Sequence, residues 1–297
     1  MPIAPHADTI LQQSWRRRIR WGSSLALAAA FTLPAAPAAA LSALTALGIL
    51  LVGLPHGALD LALVAEKRLG RPHHALFSYV GLVALSIVVF RIAPSLCLAL
   101  FLGASAWHFG SADGWRLEVS SPIWALSRGA LVVGGLVLAD PETVQLVLAD
   151  LQVDLSLPEP LTARRALAVL AAVHLGITLA VRARHGALIE LVLLVAAIFT
   201  LRPTAFFALY FLLWHSSPHL GRVLHHLHGR VPRPLLWTAG IGWTAASVAI
   251  GGLAWWLIAD GVAHPTSPLI ILSIAVTLPH LLVVQWGLDD VPAPAAA

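Results

Sequence analysis

Long stretches without a charged side chain set the terms on which this chain can fold. No Asp, Glu, Lys or Arg occurs between Arg20 and Asp60, between Arg91 and Asp113, between Arg202 and Arg222, between Arg233 and Asp260, or between Asp260 and Asp289. A helix crossing a bilayer needs about 20 mostly apolar residues, so each gap holds at least one span. Of the 297 residues, 59% are hydrophobic and 11% charged, against about 25% charged in ordinary soluble domains. Mean hydropathy is +0.85. The backbone in hydrocarbon must satisfy its own hydrogen bonds, which leaves helices as the spanning elements. The fold expected is an all-α, polytopic integral membrane bundle with the lipid bilayer as its surroundings.

Spans are expected at about 22–40, 41–65, 75–92, 93–113, 120–139, 162–181, 185–201, 203–222, 235–259 and 267–288, about ten in all, with eight or nine as the alternative counts. The span at 120–139 carries Arg128, and that at 185–201 is short and holds Glu190. Tilting, or burial against other helices, accommodates either. With the N-terminus in the cytoplasm, the inside segments collect Arg16, Arg17, Arg18, Arg20, Lys67, Arg68, Arg71, Arg116, Arg182, Arg184, Arg222, Arg230 and Arg233, thirteen of the eighteen basic residues. The outside segments receive Arg91, Arg164, Arg165 and Arg202. This asymmetry satisfies the positive-inside rule and predicts a multi-pass protein of the cell inner membrane. It also gives the net charge of +4 a topological use, with no nucleic-acid partner needed.

The stretch 16-RRRIR-20 followed by Ala-rich residues to 36-APAAA-40 has the regions of a signal peptide. The apolar sequence runs on to Asp60, however, so a helix, a break at Pro34 and Pro37, and a second helix explain more of it. Cys97 is alone, which excludes a disulfide framework and a thiolate cluster. The acidic connection 140-DPETVQLVLADLQVDLSLPEP-160 falls outside, with a short interfacial helix expected over 143–151. Residues 1–297 read as one membrane-embedded catalytic domain, with a cytoplasmic segment at 1–20 and a disordered tail at 291–297.

Fourteen histidines are many for so apolar a chain. Those at predicted ends and loops, His6, His73, His74, His185 and His264, read as solvated or interfacial, and 225-HHLH-228 reads as a helix C-terminal cap. Five others lie within spans: His56 in 53-GLPHGALD-60, His108 in 107-WHFGSAD-113, His215 and His219 in 211-FLLWHSSPHLGR-222, and His280 in 277-TLPHLLVVQW-286. All five sit in the cytoplasmic halves of even-numbered spans, so a bundle can bring them to one depth. Ionisable groups at membrane depth are costly and mark functional sites by default. His215 and His219, four residues apart, can supply two imidazoles from one helix face.

Asp60 and Asp113 follow His56 and His108 closely and could accept the second ring N–H of a metal-bound imidazole; marking the cytoplasmic end of a helix is an equal alternative. Gly53, Gly57 and Gly110 permit close helix approach. Neutral imidazoles without thiolates suit zinc, iron, copper or nickel, and an all-His set with open positions suits Fe(II) binding dioxygen. No H-E-x-x-H pattern supplies a hydrolytic base, which favours redox chemistry. Trp107, Phe109, Phe211, Trp214 and Trp286 beside these histidines are candidates to line a channel for a long apolar substrate.

At these motifs the sequence resembles the Brp/Blh family of β-carotene 15,15′-dioxygenases, membrane enzymes that supply retinal to rhodopsins. The resemblance rests on 55-PHGALD-60, 107-WHFGSAD-113, 214-WHSSPH-219 and 279-PH-280. It implies Fe(II) held by His56, His108, His215 and His219, and dioxygen-dependent cleavage of the central double bond of β-carotene, or of a related carotenoid, into retinal that passes to a rhodopsin. His280 matches a family position without being carried over as a direct ligand. Tyr210, one turn before His215, either packs or hydrogen-bonds a bound oxygen species, packing being the simpler reading. Protonation of the imidazoles at low pH is expected to release the metal. The alternatives are a His-rich membrane di-iron oxidase, such as a desaturase or hydroxylase, and a metal or proton transporter. Pro218, lacking an N–H and clashing with the Trp214 carbonyl, is expected to kink or unwind the helix between His215 and His219.

Overall fold

Proline opens most of the described helices, in the first turn where its missing N–H is no loss. The computed structural model describes residues 72–227 and 267–288, with isolated positions at 57–63 and 234–249. Helices α1 (Pro72–Ile92), α2 (Pro94–Leu117), α3 (Pro122–Leu138), α4 (Pro141–Asp150), α5 (Pro160–Ala180) and α7 (Pro203–Leu209) all start on proline. Helix α6 (His185–Thr200) precedes α7, a π-helix (Tyr210–Ser216) and α8 (Ser217–Leu227) continue it, and α9 (Ser267–Leu288) closes the described set. The caps are local chemistry. Ser121 Oγ accepts from the Trp124 N–H at 3.3 Å and Asp140 Oδ1 from the Thr143 N–H at 3.1 Å, while α2 stops where Glu118 turns left-handed at φ 61°.

Helix is the regular structure among the described residues, as the apolar runs require. Helices α2 and α5 are long and apolar enough to cross a membrane, and α3 with α4 makes a third if that pair, bent by 82°, is one broken span. Shorter apolar helices run over Phe77–Ile92, His185–Thr200 and Ser273–Val284. The expected spans at 22–40 and 41–65, and most of that at 235–259, lie outside the described residues. Helix α4 is the short helix expected in the acidic connection, and its turn away from α3 lays it across the end of the bundle. Large apolar side chains such as Phe77, Ile92, Ile123 and Val192 face outward, as membrane helices present them to lipid.

Among the described helices, α2 and α3 cross with their backbones in close contact. A Cβ on Gly110 would collide with the Ala125 carbonyl, and one on Gly129 with the Ala106 carbonyl. Ala106 and Gly110 on α2 thus interlock with Ala125 and Gly129 on α3, small residues four apart on each helix. In lipid, where burial of apolar surface drives little, this close backbone approach supplies the dispersion contact that holds helices together. The closeness expected at Gly110 is borne out. Beyond it, Leu131, Val132, Leu167, Leu191, Leu194, Ile198 and Phe206 form a core joining α3, α5, α6 and α7, into which Tyr210 and Trp214 of the π-helix insert.

Candidate metal centre

Four described elements deliver histidines to one point. His108 comes from the middle of α2, His215 from the π-helix, His219 from the first turns of α8 and His280 from α9, and all four are buried. The Nε2 atoms of His108 and His215 are 3.2 Å apart. One ligand nitrogen each from His108, His215 and His280 lies within 4.8 Å of the others. The His219 ring abuts all three, with centroid distances of 6.1 Å to His108, 5.9 Å to His215 and 5.4 Å to His280. The closest donor set therefore includes His280, while His219 stacks nearly parallel to His215, at 18°. His56 and Asp60 lie outside the described residues, as does the side chain of Trp286.

The chemistry of the donor set fits a metal. Two imidazole nitrogens facing each other at 3.2 Å cannot both present lone pairs, so a proton or a cation must stand between them. Metal–imidazole bonds of about 2.1 Å place adjacent donors on one ion about 3 Å apart, which is the spacing of this pair. Phe109 sets its ring edge-on to His215 at 4.8 Å, and Phe211 stacks on His215 at 5.7 Å, so apolar rings flank the pair. A cleft of about 10 Å³ beside His215 and His219, lined also by Ala112, Trp115, Trp214, Pro218 and Arg222, has room for roughly one water.

The π-helix is the local answer to Pro218. That residue has no N–H for the Trp214 carbonyl and would press its ring on it. The preceding turn widens instead: the Ser217 N–H reaches the Leu212 carbonyl, five residues back, and Ser217 Oγ donates to the same oxygen at 2.7 Å. Wide turns of this kind are rare and gather at functional sites. The expected distortion is present, and it lies mainly ahead of the proline, around His215 itself.

Beneath the histidines is a buried polar network that the sequence alone does not reveal. Arg116 grips Glu190 with both amino groups at 2.5 Å and reaches Asp113 at 3.0 Å, while Arg128 Nε donates to Asp113 at 2.8 Å. The Tyr210 hydroxyl donates to Asp113 at 3.3 Å, and Trp214 Nε1 to Glu190 at 3.1 Å. All four charged groups are at most 4% exposed. Two cations and two carboxylates balance, and each carboxylate is hydrogen-bonded, the condition under which charge survives in a low-dielectric interior.

This network corrects several expectations. Asp113 takes its hydrogen bonds from Arg116, Arg128 and Tyr210 rather than from a histidine, because two guanidinium groups outcompete a neutral N–H for a buried carboxylate. Arg116 belongs to the bundle interior and not to a cytoplasmic segment, since α2 continues four residues past its expected end. Tyr210 packs in the core, as the simpler reading has it, with its hydroxyl committed to Asp113. Of the aromatic residues singled out as channel candidates, Trp214 is a core anchor at 1% exposure that also borders the small cleft, and Trp107 points outward at 40%, while Phe109 and Phe211 pack their rings against His215. A sixth in-span histidine, His174 of α5, stands outside the five the depth pattern singles out. Its Nδ1 pairs with Ser127 Oγ at 2.8 Å, away from the cluster, and its position inside the span at 162–181 was the signal that marks it.

Residues 47–287 match the family model for β-carotene 15,15′-dioxygenase. The chain belongs to that family. A relative named β-carotene 15,15′-dioxygenase, from an uncultured marine bacterium, 66A03, is 25% identical over 253 residues, covering 80% of this chain and 90% of the relative. No solved structure matches the chain. For the β-carotene 15,15′-dioxygenase family the matched range takes in all the described helices up to the last turn of α9, and with them the whole histidine cluster.

Proposed function

We propose that this chain is an iron-dependent membrane dioxygenase that cleaves β-carotene, or a related carotenoid, at its central double bond to give two molecules of retinal. The observation that carries the reading is the buried histidine cluster at the heart of the family-matched range, with His108 and His215 Nε2 atoms 3.2 Å apart. Fe(II) would be held by His108, His215 and His219 with His56, and His280 stands within reach of the same ion. When bound, iron supplies the activation of dioxygen. The chain's own residues do the rest. They fix the imidazoles, present the Phe109 and Phe211 rings to a polyene, and exclude water by burial.

The same reading places about ten spans in the cell inner membrane with the N-terminus in the cytoplasm, and the whole chain as one catalytic domain. The substrate then reaches the site laterally from the bilayer that dissolves it, and retinal leaves by the same route, available to a rhodopsin. Expression in carotene-accumulating cells followed by pigment analysis tests this directly. Bleaching with appearance of retinal is expected. Retained carotene colour with no aldehyde product, in cells where the chain is shown to be in the membrane, refutes the reading.

A further inference from the structure

The π-helix that carries His215 is held at two points, and both lead to the same pair of carboxylates. Tyr210 at its start donates to Asp113, and Trp214, adjacent to His215, donates to Glu190. Neither carboxylate is free to move. Asp113 is fixed by Arg128 from α3 and by Arg116 from its own helix, and Glu190 on α6 is gripped by both amino groups of Arg116. Tyr210, Trp214 and Phe206 are fully buried in the core formed by α3, α5 and α6, so the anchors cannot swing toward solvent.

A wide turn is intrinsically less favourable than an α turn and persists only where its surroundings hold it. Pro218 explains why the turn must open, yet a proline alone does not fix how far the widened segment rotates. The rotation decides where the His215 ring lies relative to His108. His108 itself sits five residues before Asp113 on α2, so one rigid helix carries both a member of the nitrogen pair and the carboxylate that anchors the other member's segment.

We infer that Glu190, Arg116 and Arg128 are positioning residues: through Trp214 and Tyr210 they set the rotation of the π-helix and hold His215 Nε2 at metal-bridging distance from His108. The inference rests on the metal reading above. It adds that three buried ion pairs, made by residues outside the histidine cluster, tune the metal's affinity and geometry. Outer partners that orient a ligand typically change metal affinity by about 10–100-fold.

The test uses the full chain purified in detergent or nanodiscs, with Co(II) as the probe, following binding and the visible absorption bands that report coordination geometry. Tyr210→Phe removes one hydroxyl and keeps the packed ring; a loss of Co(II) affinity of about tenfold or more, with altered bands, is expected. Glu190→Gln keeps an acceptor for Trp214 Nε1, so it should retain more affinity than Glu190→Ala, which keeps none. Should Glu190→Ala fail to fold, Tyr210→Phe and Glu190→Gln still decide the matter. If both bind Co(II) as tightly as the wild type with the same bands, whatever their melting temperature, the network is structural and the inference is overturned. If the wild type binds no Co(II) or Fe(II), the metal reading itself fails and takes this inference with it.

Discussion

His108 and His215 are 107 residues apart in sequence, yet their Nε2 atoms meet at 3.2 Å inside a bundle of largely apolar helices. Such a pair contributes little to stability that an apolar pair could not, and in lipid it carries the penalty of any ionisable group. Its use is in what the two lone pairs can share. Replacing His215 by alanine should lower bound metal by at least about 100-fold, at or beyond the upper end of the range for an outer partner. Metal analysis of the purified chain checks this, and protein that keeps its iron and its polyene cleavage would contradict the assignment.

His280 offers a sharper comparison, because its nitrogen belongs to the closest donor set while its place in the sequence motif is the weakest. His280→Ala is expected to reduce metal affinity as severely as His215→Ala. A titration of both variants side by side decides it. An effect of His280→Ala confined to thermal stability would make this residue a contact between α9 and α2 and nothing more.

Gly129 meets the Ala106 carbonyl so closely that any side chain forces the helices apart. Gly129→Ala should destabilise the chain by about 1–3 kcal/mol, the usual cost of overpacking a tight contact. Because His108 lies two residues from Gly110 on the displaced helix, metal affinity should fall as well. Thermal unfolding in detergent with a parallel metal titration reads both quantities; an unchanged melting temperature would mean the crossing is looser than described.

Pro218→Ala restores an N–H that the Trp214 carbonyl can accept, and so gives the segment a way back to regular helix. Removing a source of local strain commonly raises stability at the expense of function. The variant should melt at the same temperature or higher while binding metal more weakly. Weaker stability with undiminished metal binding would show that the proline serves the fold and not the site.

Much of the helical scheme was legible in the sequence because its signals are local. Charge-free runs, prolines at helix starts and polar caps such as Ser121 and Asp140 each act within a few residues, and the expected spans from 75 to 222 fall on observed helices. The histidines of the site were legible for a related reason, since an imidazole at membrane depth is conspicuous beside Leu and Ala. The polar network was not. Arg116 and Glu190 are 74 residues apart, and each read singly has an ordinary role, one as a cytoplasmic charge and the other as a blemish in a short span. Only packing reveals that they neutralise each other. The same ignorance of packing placed the end of α2 at Asp113, the first charge, whereas paired charges let the helix continue to Leu117.

The widened turn at Tyr210–Ser216 also bears on how sequences of this kind should be aligned. A π turn holds one residue more than the α turn it replaces, so it is equivalent to a single-residue insertion, and each residue of an α-helix accounts for about 100° of rotation. Deleting one residue between Tyr210 and Trp214 would return the segment to α geometry and swing the downstream histidines by about that angle from the ring of His108. Among relatives, a one-residue gap opened in this stretch to gain matches nearby would therefore erase the feature that aims the ligands, and should be weighed as a change of site rather than of loop length.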